Sequence, residues 1–182
     1  MIPGIMAAMS FPTLAFLAVR AAHVLLAAIW VGSVAFMVFF VMPASRETGP
    51  AAGPMMAAIA RRGLNGFMGA LGGLTVVTGF YLYWRFTGGF DPALSATRAA
   101  MVFGTGGIAG LISVIVGGAV VGRNMAKMAA LAGRARELPE GAERARLTTE
   151  ANAARDRGVA GARIVLVLQL IAVLCMAIGH YV

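Results

Sequence analysis

Residues 21–42 read AAHVLLAAIWVGSVAFMVFFVM, 22 positions with no Asp, Glu, Lys or Arg. A helix rises ~1.5 Å per residue, and ~20 apolar residues are enough to cross the hydrocarbon core of a bilayer. Three further charge-free runs meet the same test: Leu64–Trp84 (21 residues), Ala99–Gly122 (24) and Ile164–Val182 (19). Strands of a membrane barrel would be about half as long and would alternate in polarity. The runs therefore predict four transmembrane helices.

The rest of the chain agrees. Of its 182 residues, 60% are hydrophobic and 12% charged, against about 45–50% and about 25% in soluble domains. The mean hydropathy is +0.85. These values exclude an ordinary soluble enzyme, a disordered chain and a secreted disulfide scaffold. A single cysteine, Cys175, permits no internal disulfide and no cysteine metal cluster. The expected fold is all-α: one integral membrane four-helix bundle occupying residues 1–182.

The net charge of +8 does not point to nucleic acid. The basic residues bracket the apolar runs and form no aromatic-laced patch. Their distribution predicts orientation instead. The first connection holds Arg46, Arg61 and Arg62, and the third holds nine more between Arg123 and Arg163. The opposite side holds only Arg20, Arg85 and Arg98. Positive loops stay in the cytoplasm, so both termini are expected outside, in the periplasm of a bacterial-type inner membrane. The N-terminal stretch MIPGIMAAMSFPTLAFLAV has no basic residue ahead of its apolar part and reads as retained. Pro12 suits a helix start, so Phe11–Val19 either extends the first helix or lies on the membrane surface. The third connection, residues 123–163, is rich in the helix formers Ala, Arg and Glu, broken by Leu138-Pro139. It predicts a cytoplasmic helical hairpin turning near Pro139.

Glycines concentrate in the second and third spans. Gly63, Gly66, Gly69 and Gly72 recur every three residues, and Gly106/Gly110 and Gly118/Gly122 fit a small-xxx-small pattern. Such faces let helices approach closely, within one bundle or between copies of it. They could also leave a slot for a flat macrocycle.

Ionisable side chains inside a span are costly and are functional candidates. The chain has two histidines, and both fall in spans: His23 third in the first, His180 third from the end of the fourth. After four crossings both belong to the outer side, at similar expected depth. Arg20, Arg85 and Arg98 bracket that layer. Two imidazoles and three guanidiniums suit heme b, the imidazoles as axial ligands and the arginines as propionate partners. Either histidine alone is read equally well as bonded to water or to a neighbouring helix. Trp30, seven residues from His23 on the same face, packs on such a macrocycle or fills the core. Gln169, Met176 and His180 share a face of the fourth span. Copper is the competing ion, because imidazole and the Met176 thioether both bind Cu(I); Met1, Met6, Met9 and Met101 lie on the same side.

Arg20-Ala-Ala-His23, followed by VLLAAI and then Trp30-Val31-Gly32, resembles the first helix of the CopD-type copper-resistance proteins and the related HemJ-type protoporphyrinogen oxidases. Both carry a histidine followed seven residues later by Trp-x-Gly, and Pro43 resembles the CopD-type pattern. The resemblance covers about 25 residues well. It implies a helical bundle that binds heme or handles copper, with His23 as a ligand.

The combined expectation is a membrane heme b protein with His23 and His180 ligating iron. Two histidines leave iron no open position, which favours electron transfer, with a quinone or a periplasmic redox protein as partner; whether any oxidoreductase turnover is attached is open. The alternatives are a copper-binding or copper-transport protein and a structural subunit of a larger membrane complex.

A reporter fused after Val182 is expected to read as periplasmic and one inserted near Gly141 as cytoplasmic. The reverse pattern in both fusions would move the histidines to the cytoplasmic side.

Overall fold

The computed structural model describes residues 11–182; Met1, Met6 and Met9, named above as thioethers, lie outside the described residues. The described chain is all-helical, with four helices long and apolar enough to cross a membrane. Helix α1 (Phe11–Phe36) continues through a π-helical turn, Met37–Val41, into α2 (Met42–Glu47). A 3₁₀ turn and α3 (Gly53–Arg61) lead to α4 (Leu64–Phe86). After the one-turn α5 (Pro92–Ser95) comes α6 (Arg98–Val116), which passes through a second π-helical turn, Gly117–Gly122, into α7 (Arg123–Glu137). Helix α8 (Ala142–Ile178) completes the chain.

The helices overrun the apolar runs. The first is already helical at Phe11, the first described residue, so Phe11–Val19 extends it. The third and fourth spans continue as polar helices α7 and the first half of α8, and the chain reverses over residues 138–141. A helix leaving an apolar environment keeps its backbone hydrogen bonds, so nothing local ends it where the hydropathy ends. It ends where Leu138 turns extended ahead of Pro139, which cannot donate to a helical carbonyl.

Consecutive spans pack antiparallel, α1 on α4, α4 on α6 and α6 on α8; α8 returns to α1 along a sparser seam. The close contacts are large side chains set on glycines. The Trp30 ring and Val114 lie over Gly72, so a Cβ there would come within 2.9 Å of Trp30 Cζ2 and 3.0 Å of Val114 Cγ2. Cys175 and Met176 cover Gly106, Val120 and Val121 cover Gly161, and Phe103 covers Gly179. At these four glycines the place of the missing side chain is taken by a neighbouring helix. Gly66, Gly69, Gly73, Gly107 and Gly110 have nothing within 4 Å of a built Cβ. The small-xxx-small pair Gly106/Gly110 is thus split between an inner and an open position.

The connection between α4 and α6 caps one end. Gly88, Gly89 and Phe90 all take positive φ, and Phe90, at φ 68°, is the strained member. Buried Thr87 accepts the Phe90 N–H at 3.2 Å, and the Phe90 ring packs on Phe80 and Tyr83. Asp91 and Thr97 then cap α5 and α6 by accepting the N–H groups of Leu94 and Ala100. At the other end Arg46 bonds Asp156 at 3.2 Å, tying the first connection to α8. Arg146 bridges Glu143 and Glu150, and its hydrogen bond holds the Glu143 carboxyl below its ordinary range. These are surface pairs, screened by solvent, and contribute little to stability.

Gly72→Ala is expected to lower the melting temperature in detergent, because overpacking against a fixed indole costs about 1–3 kcal/mol. Gly69→Ala, at an open helical position, should be neutral or stabilising by up to about 1 kcal/mol. Equal losses in both would contradict the packing on Gly72.

Candidate functional site

His23 and Trp30 are seven residues apart on α1; Gly79 and Gly72 are seven apart on α4. The antiparallel seam sets each large ring over one glycine. A Cβ on Gly79 would lie 2.8 Å from His23 Cε1, so only glycine admits the imidazole there. His23 is half-buried. Its Nδ1 lies 3.0 Å from Thr75 O and 3.1 Å from Thr78 Oγ1. A carbonyl can only accept, so Nδ1 carries the proton. The Thr78 hydroxyl donates to Leu74 O at 2.7 Å, which leaves its lone pair to share the same N–H. In the neutral ring this arrangement puts the free lone pair on Nε2. Fixing Nδ1–H on a backbone carbonyl is how metal-ligating histidines are commonly oriented.

His180 stands in other surroundings. It follows the end of α8, is exposed, and sets its ring against the edge of Phe103 with centroids 4.9 Å apart. Phe103 in turn meets Phe86 at 5.2 Å. Arg20 Nη2 lies 3.4 Å from His180 Nε2. A guanidinium has only donors, so Nε2 is the acceptor in this contact. Arg20 thus spans the sparse seam between α1 and the chain end.

The two histidines share one end of the bundle but not one depth. His23 belongs to the Gly79 layer and His180 to the Phe86–Phe103 layer, roughly two turns away along α4. No hydrogen bond or ring contact joins them. Arg85 and Arg98 are exposed at the same end and bond no other described residue. Trp30 is 6% exposed and fills the core over Gly72. Met176 lies inside the bundle with its methyl over Gly106. Among the described residues no group of three or more His, Cys, Asp or Glu side chains could hold a metal ion.

Thr75 and Thr78, the partners of His23, were not foreseen from the sequence. A signal was available: they are the only threonines or serines in the second span, one turn apart on one face.

Against heme, the site fits in one half. His23 offers an oriented imidazole with a free Nε2. His180 offers Nε2 only when Arg20 lets go, and Gly72, Gly79 and Gly106 are covered by neighbouring side chains. No family model, no curated protein and no solved structure matches this chain.

In protein carrying 15N-labelled histidine, His23 Nε2 is expected to give the resonance of an unprotonated ring nitrogen. Arg20→Ala should shift the His180 signals and leave those of His23 in place. A protonated Nε2 on His23 would overturn the assigned tautomer.

Proposed function

We propose that this chain is a multi-pass membrane protein that binds a b-type heme for one-electron transfer at the histidine end of the bundle. The observation that carries the reading is the anchoring of His23: Nδ1 lies 3.0 Å from Thr75 O and 3.1 Å from Thr78 Oγ1, which leaves Nε2 as the ring nitrogen available to a ligand. Heme supplies a reversible ferric–ferrous couple when bound. His23 would hold the group through a nitrogen already oriented by Thr75 and Thr78. His180 would be the second nitrogen ligand and Arg20 a propionate partner. Arg85 and Arg98, exposed and unpaired at the same end, are the further cations for that role.

The division of basic residues, twelve against three, supports a bacterial-type inner membrane with the histidine end in the periplasm. A quinone or a periplasmic redox protein is the partner proposed for the electron. The open glycines of α4 are the face proposed for contact between copies.

Copper binding is the second reading, and the placement of Met176 favours it. Its thioether lies within the bundle one turn along α8 from His180, and thioether with imidazole suits Cu(I).

The visible spectrum of protein purified in detergent, with metal analysis alongside, separates the readings. With heme bound, His23→Ala and His180→Ala should each abolish or convert a low-spin spectrum, while Arg20→Ala lowers heme retention with both ligands in place. With copper bound, no Soret band appears and Met176→Leu weakens binding more than Met55→Leu, because Met55 sits exposed on α3 at the far end. Colourless, metal-free protein from heme- and copper-replete cells would leave a structural subunit as the reading.

A further inference from the structure

Four polar side chains are buried among the described residues: Thr75, Thr87, Ser113 and Gln169. Thr87 belongs to the turn after α4. The other three come from three different spans, and the packing register brings them to one level. Gly106 on α6 meets Ala172, Cys175 and Met176 on α8, and Gly161 on α8 meets Val120 and Val121 beyond α6. Interpolating between these contacts sets Ser113 opposite Leu168 and Gln169. Gly72 meets Val114, and Gly104 meets Tyr83. Thr75 therefore lies opposite Leu111 and Ile112, within half a turn of Ser113. Trp30 closes the layer on the hairpin side.

Gln169 is 1% exposed, and both Oε1 and Nε2 are buried without a hydrogen-bond partner. A primary amide left so in an apolar interior is costly. The neighbouring hydroxyls can meet only half its needs. Ser113 Oγ donates to Ala109 O at 2.9 Å, and Thr75 Oγ1 donates to Leu71 O at 2.7 Å. Their protons are spent on the backbone and only lone pairs remain. They could accept from Nε2, but neither can donate to Oε1. The missing group must donate to Oε1, and one that also accepts can serve Nε2 as well.

We propose that the Thr75–Ser113–Gln169 layer binds a water molecule, which donates to Gln169 Oε1 and accepts from Nε2 or passes its second proton to a hydroxyl lone pair. A metal cation is disfavoured by charge: all seven carboxylates, Glu47, Asp91, Glu137, Glu140, Glu143, Glu150 and Asp156, lie outside the apolar runs. A bare cation at this depth would have no counter-ion. A larger neutral ligand is disfavoured by space: the hollows lined by Leu17, Arg20 and Val24 and by Arg163, Ile164 and Val167 open on the outer surface of the helices, not into this layer. A single water needs only ~10–15 Å³ and two to four polar partners. The site is independent of any heme.

Gln169 is the single glutamine of the chain, so one side-chain 15N label reports on it alone. In labelled protein in lipid bilayers, magnetisation is expected to pass from water protons to the Gln169 amide. The transfer should persist in Thr75→Val and in Ser113→Ala, each of which removes a hydroxyl that could relay it by exchange. Absence of transfer in the wild-type protein would overturn the proposal. So would a transfer that either variant abolishes while its remaining spectrum keeps the wild-type pattern.

Discussion

Between two apolar helices surrounded by lipid, burial contributes little, because an acyl chain is as apolar as the leucine it replaces. Close van der Waals contact has to hold them together, and here that contact runs through missing side chains. Gly72, Gly79, Gly106, Gly161 and Gly179 each receive a large side chain from the next helix. Those knobs fix the antiparallel register of all three consecutive seams. The register in turn decides which polar groups share a level: it delivers His23 to Thr75 and Thr78 and sets Gln169 level with Ser113. The seam from α8 back to α1 lacks this device, and there an arginine and a histidine make the connection across the end.

The four spans were legible because a bilayer demands a minimum run of apolar residues, and four runs satisfy it. The helix ends were not legible by the same measure. Hydropathy marks where apolar residues stop, whereas a helix stops where its hydrogen bonding is interrupted, at Pro139 or at the left-handed Gly63. The histidines were legible as rare ionisable residues in apolar runs. Their inequality was not. Counting crossings places both at one end, but depth also depends on how each helix slides against its neighbour. Contacts such as Gly79 with His23 and Gly179 with Phe103 set that slide. The stripe Gln169, Met176, His180 shows the same limit. One helical face carries all three, yet depth gives them three surroundings: a sealed polar layer, a glycine seat and an exposed helix end.

The two imidazoles consequently differ in what they can do. His23 is oriented from behind by backbone and hydroxyl groups that cannot take its proton, so its reactive nitrogen is determined by the fold. His180 has one ring nitrogen covered by an exposed, charged side chain on one helix while its ring rests on another. One is a fixed ligand in form, the other a displaceable contact. Any molecule that claims His180 must also satisfy Arg20, which favours ligands carrying negative charge.

The π-helical turns carry a consequence for how this chain tolerates changes in length. Each is an α-helix with one residue too many, and π-bulges of this kind arise by such insertions. An extra residue advances everything beyond it by about 100° around the helix axis. Both lie on the hairpin side of their spans, at Met37–Val41 and Gly117–Gly122, and the second is braced by Asn124 donating to Val120 O at 2.8 Å. They act as phase shifters: the glycine-seated seams keep one angular phase and the polar helix α7 another, so the two halves of the molecule could drift in sequence without rotating each other out of contact.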